Sequence, residues 1–495
     1  MTDVIVVGSG PAGMMLAGEL ALWGVDVAIL ERRDTGDLPE SRAGGFHSRT
    51  IEVLDQRGIA EPFLAAGKTG QTARFGNSVL DISDFPTRHP YGLGLWQRQM
   101  RPILEGWIHD LGVPVYRGTE VVGFVQDQAG VDVELAEGAS LRTRFLIGAD
   151  GGRSVVRKAA GIEFPGWEAT RSNLIAEVEV SGEPPSGMRQ DETGVHGFAL
   201  LEDGHTYRVV TTERHLGSGD APSLLDLSDA LKAVYGTDFG VHSPTSISRF
   251  TDATRQAATY RNGRVLLVGD AAHIHYPAGG QGIGLGLQDA VNLGWKLAQV
   301  VKGTSGDSLL DTYHAERHPV AARALQHSMA QTVLQRQDPR SAALGQTIAD
   351  LMVMDEPRKH VAALIHGLDI TYDLGAGHPL LGRRMPDLDL SIAGVEGPSR
   401  VYAHLRDARA VLLNLAEPGR FDVGRSGFDV GAWARQVRLV DARCTATWEL
   451  PLIGKVEPPT AVLIRPDGYV CWVGEGTDQG LMEALTRWLG VGSGS

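Results

Sequence analysis

Three features of the 495-residue sequence predict an α/β fold built on a parallel sheet, with a β-sheet insert and a smaller α/β unit at the C-terminus. Near the N-terminus an apolar run enters a glycine turn, then a helix-compatible stretch, then a second apolar run closing on an acid. Between about residues 171 and 254 apolar and polar residues alternate with the period of strands. Beyond about residue 385 short apolar runs recur around an Asp-Gly turn. Glycine is the compositional outlier at 63 of 495 residues, well above the usual ~7% and without a collagen-like period, so the chain is rich in tight turns.

The first apolar run, Val4 to Val7, leads into Gly8-Ser-Gly10-Pro11-Ala12-Gly13, and Met14 to Gly24 reads as a helix before the strand Val25 to Leu30 and Glu31. A GxGxxG pattern alone is weak. Here it follows a strand, opens a helix, and stands ahead of an acid that closes the next strand, which is the context of a Rossmann-like dinucleotide site. Gly8 permits the tight turn, Gly10 lets a pyrophosphate approach the backbone, and Gly13 brings helix and strand together. Pro11 and Ala12 open a helix whose N-terminus faces the phosphate charge, and Glu31 is placed to hold ribose hydroxyls.

Two further strands end in acidic turns. Phe145-Leu-Ile-Gly-Ala-Asp150-Gly151 runs into an Asp-Gly turn, and Arg264-Val-Leu-Leu-Val-Gly269-Asp270 ends in an acid able to bond sugar-alcohol hydroxyls. Next comes Pro277-Ala-Gly279-Gly280-Gln281-Gly282-Ile283-Gly284-Leu-Gly286, where the glycine density implies that something needs bare backbone, such as a flat ring. The helix that follows would aim its positive end at the anionic edge of that ring. His273 and His275 border this loop; either one is a base beside the ring or both serve loop packing, and packing is the favoured reading.

In the insert, Asn173 to Val180 alternates, and Gly197 to Leu201 and Thr206 to Thr212 flank a Glu-Asp-Gly turn, as a hairpin does. Helical stretches from about 319 to 370 lead through a linker at 375 to 390. Arg409 to Leu415, Val437 to Asp441, Thr460 to Ile464 and Tyr469 to Trp472 then read as strands. Aromatic residues from Tyr91 to Trp96 suit either a flat-substrate pocket or the core.

Lys and Arg number 46 against 60 Asp and Glu, a net charge of -14, and without a basic tract the chain is a poor nucleic-acid binder. The two cysteines, Cys444 and Cys471, make neither a disulfide framework nor a CxxC motif, which fits a cytoplasmic protein. The N-terminus lacks a signal peptide's basic region and length, and no apolar stretch reaches a membrane span.

The GxGxxG turn, the Asp150-Gly151 turn, Gly269-Asp270 and the loop from Pro277, in this order, resemble the FAD-dependent aromatic hydroxylases, or class A flavoprotein monooxygenases. The narrower similarity, to hydroxylases of aromatic polyketide antibiotics and the angucycline oxygenases in particular, covers nearly the whole chain. It is carried also by Glu40-Ser-Arg42, Arg49 to Gly58, Gln97 with Arg101, Thr254-Arg255-Gln256, Tyr260 to Arg264, Thr312 to His318 and Gly382 to Pro386. The resemblance implies a GR2-type FAD-binding domain from residues 1–170 plus 255–330, a substrate-binding β-sheet domain at 171–254, a helical connector at 331–384 and a thioredoxin-like domain without CxxC at 385–495.

It assigns FAD contacts to Arg42, Gln97 and Arg101, the adenosine end to Arg32, the ribityl chain to Asp270, and further cofactor contacts to Asp150 and to Pro277, Gly280, Gln281, Gly282 and Ile283. Relatives commonly carry Asn where this chain has Gly284, and Pro458-Pro459 resembles the position of the thioredoxin fold's cis-proline. The implied reaction is reduction of FAD by transiently bound NADPH, held on the surface through Arg42 or its neighbours, capture of O2 as a C4a-hydroperoxide, and attack on a polycyclic phenol. No catalytic side chain is assigned and no metal is expected; a homodimer fits. Two variants share the scaffold, a Baeyer-Villiger enzyme and an antibiotic-inactivating oxygenase. A flavin reductase or dehydrogenase, or a flavin-bound sequestering protein, are the readings from other classes.

Overall fold

The computed structural model describes residues 2–35, 44–201, 203–217, 220–395, 397, 399–421 and 433–490. Its largest sheet runs Val265–Leu267, Ser140–Gly148, Thr2–Val7, Val27–Leu30, Val115–Tyr116, with these neighbours all parallel. The strands read as continuous apolar runs because both faces are covered, as parallel sheets require. The helix Pro11–Leu22 starts directly after the first strand and packs between the helices Gln97–Asp110 and Gly282–Lys302.

The second sheet is antiparallel, ordered Gly187–Gln190, Val195–Leu200, Thr206–Thr212, Ser172–Val180, Val241–Thr251. Its two long hairpin strands match the sequence expectation to within two residues. A helix that the strand pattern did not announce, Leu224–Tyr235, covers one face with Leu227 and Leu231 against Leu174, Ala176, Val178 and Phe198. Its start is fixed by a capping box, Ser223 with Asp226, a pattern legible in sequence. Period-two alternation then places Ile175, Glu177, Arg208, Val210 and Phe250 on the opposite face.

The C-terminal sheet has the order Val437–Asp441, Ala410–Asn414, Ala461–Ile464, Val470–Gly474. The first two strands are parallel and the last two antiparallel, and the helix Leu481–Leu489 follows. Second-first-third-fourth order with these directions is the thioredoxin-like arrangement. Pro458-Pro459 precedes the strand Ala461–Ile464, and among the described residues no peptide bond is cis. Cys471 is buried and Cys444 half-buried, both as free thiols, and burial pushes the Cys471 thiol up to about 12.

This unit docks on the body through buried arginines. Arg465 donates to both Glu316 carboxylate oxygens at 2.6 and 2.9 Å and to Asp467, and Lys296 adds a 2.8 Å contact to Glu316. Arg57 grips Glu19 while donating to the carbonyls of Leu405 and Pro466 at 2.6 and 2.8 Å. Arg384 reaches from the C-terminal side to Gln56 at 2.5 Å and the Glu52 carbonyl at 3.1 Å. No described helix is long and apolar enough to cross a membrane. Removing one partner of such a pair leaves an uncompensated buried charge, so Arg465→Ala should cost about 3–5 kcal/mol, read as a lowered denaturant midpoint.

Candidate cofactor and active site

Three backbone segments meet with almost no side chain between them. A Cβ on Gly13 would lie 2.2 Å from the Gly8 carbonyl oxygen, and one on Gly8, at φ +105°, 2.5 Å from that of Ala149. Gly269 and Gly286 each approach the Ala12 methyl, at 3.1 and 3.2 Å from their Cβ positions. Gly10 differs, because no atom of the described residues lies within 4 Å of its Cβ position. The protein itself does not need glycine there, whereas a pyrophosphate lying on the backbone does. The helix behind it has Pro11 at its first turn and no side-chain cap, so its free N–H groups face the same space.

Glu31 is buried and accepts from the Ser9 amide at 2.9 Å, the Ser9 hydroxyl at 2.8 Å and the Arg33 amide at 3.1 Å. Burial alone would raise its carboxyl, but those bonds outweigh it and hold the group below the usual carboxylate range. Arg101, also buried, donates to the Ser9 hydroxyl at 3.0 Å and to Glu105 at 2.7 Å. The structure thus brings Glu31 and Arg101 to one serine of the glycine turn. Gln97 opens the Arg101 helix, while Arg32 is exposed. Arg42 lies outside the described residues.

The two acidic turns are joined by a residue that sequence reading left without a role. Asp150 caps the helix Val155–Ala159, accepting from the amides of Val155 and Val156 at 2.7 and 3.1 Å, and its Oδ1 is buried without a partner. Arg157 donates to the carbonyls of Gly152 and Ala271, both at 2.9 Å. It therefore ties the Asp150 turn to the turn Gly269–Ala271, at whose start Asp270 is exposed.

The glycine loop is held open in a left-handed path, with φ +86° at Gly279 and +66° at Gly280. Nε2–H of His47 donates to the Gly279 carbonyl at 2.7 Å. Gln281 is buried and uses its amide nitrogen on the carbonyls of Leu364 and Ile365, at 2.9 and 3.2 Å, leaving Oε1 unpaired. The helix Gly282–Lys302 then starts with neither an acid nor a side-chain cap in its first turn, with Gly282 and Ile283 as its first residues and Pro277 exposed at the head of the loop. Gly284 has a local cause: a Cβ there would sit 2.5 Å from the Thr50 hydroxyl, which Gln288 bonds at 3.4 Å.

The histidines pack rather than project. His273 is buried against Asp289 at 2.7 Å, and Arg317 holds the other Asp289 oxygen at 2.8 Å. His275 bonds the Tyr276 carbonyl at 2.7 Å. Trp96 is 39 % exposed, so it is not a core filler, and Tyr91 bonds His89 at 2.7 Å. The free sheet face stands over the loop: Phe250 is 6.0 Å from the Tyr276 ring.

The FAD-binding domain family model matches residues 1–328, and that of the aromatic-ring hydroxylase C-terminal domain matches residues 378–491. The chain belongs to the FAD-binding aromatic-ring hydroxylases. A rifampicin monooxygenase of Streptomyces venezuelae is 41% identical over 499 residues, covering 99% of each chain. A 12-dehydrotetracycline 5-monooxygenase/anhydrotetracycline 6-monooxygenase of Streptomyces rimosus is 41% identical over 511 residues, again 99% of each. The crystal structure of CabE, an aromatic hydroxylase from angucycline biosynthesis, aligns with a TM-score of 0.89 at 40% identity over 99% of both chains. The family is thus the one that the sequence resembles, and it brings FAD as cofactor.

Gly10→Val, which meets only open space in the protein, should fold normally yet purify without flavin, whereas Gly13→Val should lose stability as well; absorbance and a melting curve separate the two. The loop is also expected to be acid-sensitive. Burial holds His47, His275 and His366 below the usual histidine range and His327 at about 4. The unfolded chain then binds more protons below about pH 6.5, so stability should fall as pH drops from there, on the order of 3 kcal/mol by pH 4 from His327 alone. Denaturation at pH 7 and pH 4.5 measures it, and His327→Gln should flatten the dependence.

Proposed function

We propose that this protein is an FAD-dependent, NADPH-consuming monooxygenase that hydroxylates a polycyclic aromatic phenol in the making or modification of an antibiotic. The observation that carries the reading is the pairing of a bare glycine loop with a roof. The half-buried Ile175, Val210 and Phe250 lie on the sheet face above Tyr276, an apolar, aromatic ceiling suited to a flat ring. The three named relatives are, by their names, monooxygenases of rifampicin and of tetracycline precursors and an aromatic hydroxylase from angucycline biosynthesis.

In this reading Gly8, Gly10 and Gly13, with the amides of Pro11–Leu22, take the pyrophosphate, and Arg101 stands beside it. Glu31 bonds the adenosine ribose, Arg32 flanks the adenosine end, and Asp270 bonds the ribityl hydroxyls. Asp150 and Gln97 complete the cradle. The loop from Pro277 through Gly280, Gln281, Gly282 and Ile283 would carry the isoalloxazine ring, and the uncapped start of Gly282–Lys302 would stabilise the negative charge it gains on reduction. Bound FAD supplies the activation of O2. The chain then has to hold the substrate ring at the right distance and keep water out. His47 keeps the loop in its open path, and the sheet excludes solvent from above. The residue boundaries 1–170 with 255–330, 171–254, 331–384 and 385–495 divide these tasks.

Purified protein should be yellow, and one member of a panel of anthraquinone and angucycline phenols should accelerate NADPH and O2 consumption and gain one oxygen. Asp270→Ala should lower flavin occupancy at least tenfold. Ligand reduction without O2 uptake would instead indicate a flavin reductase or dehydrogenase.

A further inference from the structure

The strand Thr206–Thr212 sets Arg208 on the sheet face that looks toward the flavin loop, in register with Glu177 on Ser172–Val180. Arg208 is only 5 % exposed. Its Nη2 donates to Glu177, and its guanidinium lies 4.0 Å from the centroid of the Trp96 ring, which covers it. Nε and Nη1 have no partner among the described residues. Among the described residues, the charged groups that face it are Glu177 and, 3.9 Å from Glu177, Arg98 on the helix Gln97–Asp110. One carboxylate between two guanidiniums leaves the spot positive.

Buried donors are almost always paired, and an unpaired one is costly, most of all on a charged group. Glu177 fixes the guanidinium plane and Trp96 shields it, so the two free nitrogens, with three N–H between them, are held for an acceptor that the described residues do not supply. We propose that Arg208 binds the ionised oxygen of the substrate, and that the substrate class is a fused ring system bearing an acidic hydroxyl, taken up as its phenolate with the proton released to solvent. This rests on the function proposed above. A phenolate has more electron density on its ring carbons than the neutral phenol and reacts faster with an electrophilic oxygen. Arg208 thereby acts on both orientation and reactivity, and Trp96, part exposed, is the movable cover that the ring displaces.

The test uses the FAD-loaded protein and alizarin, a planar dihydroxyanthraquinone that turns from yellow to red on ionisation. Bound to the wild-type protein, the dye should ionise at least about tenfold more readily than in free solution, as an adjacent cation dictates. Its O-methyl ethers should bind at least tenfold more weakly. Arg208→Met should keep FAD and abolish the gain in ionisation, and Arg208→Lys should restore part of it. The proposal is overturned if the wild-type protein does not bind or does not ionise the dye more readily, or if the ethers bind equally well. It is also overturned if Arg208→Met leaves the ionisation unchanged or loses flavin instead, which would assign the guanidinium to the cofactor. The comparison of dye with ethers needs only the wild-type protein, so it decides the matter even where Arg208→Met misfolds. A wild-type protein that shifts the dye but consumes no O2 with any phenol would refute the monooxygenase reading and not this one.

Discussion

The structure depends on one steric constraint, the approach of three backbone segments to within a distance that a single methyl group would prevent. Gly8 lies against Ala149, Gly13 against Gly8, and Gly269 and Gly286 against Ala12. These contacts bring the first helix, the Asp150 turn and the Asp270 turn to one point. Side chains at those positions would force the segments apart, and interiors are too closely packed to absorb such a displacement. The space for a long, charged cofactor follows from the same contacts, because glycine at Gly10 leaves it open where the other glycines close the fold.

The helix Gly282–Lys302 carries that constraint outward. Its first turn belongs to the glycine loop, its middle packs on Pro11–Leu22, and further along it Asn292 and Lys296 enter the buried cluster of Glu316, Arg465 and Asp467. The C-terminal unit is thus fastened to the element that begins at the flavin loop. It has no redox motif, and its buried arginines bond carbonyls and carboxylates of the body rather than any ligand. Desolvating so many charges is expensive, and the gain is geometric: bidentate guanidinium bonds fix the orientation of the two units more narrowly than an apolar contact would. That docking braces the far side of the helix whose N-terminus must stay in place.

How far the sequence could be read follows from which kind of atom makes each contact. Backbone contacts leave a mark in composition and spacing, so the glycine turn, both acidic turns and the loop from Pro277 could be placed before the fold was known, and the parallel strands followed from their unbroken apolar runs. The hairpin around residues 197–212 was visible for the same reason. Contacts between side chains distant in sequence leave no local mark. Arg157, which joins the Asp150 and Asp270 turns, sits 114 residues from the carbonyl that it bonds, and His47 is 232 residues from Gly279. Thr50 explains Gly284 across a similar gap. The helix Leu224–Tyr235 was missed although its capping box is local, because the surrounding strand pattern set the expectation for the segment.

The same division separates cofactor from substrate. FAD is a constant ligand, and in the proposed cradle the chain would meet it largely with backbone amides, glycines and a few acids. The substrates named for relatives that share some two-fifths of their residues with this chain differ, and in the proposed reading the substrate would be met by a sheet face whose side chains can change without disturbing the strands that bear them. On that face apolar residues are interchangeable and say little. Packing alone does not account for a buried guanidinium with two unpaired nitrogens, since an unmet donor on a charged group is costly. Under the proposal above, this donor set is the most specific feature of the face: the ring it would receive carries an oxygen able to bear negative charge.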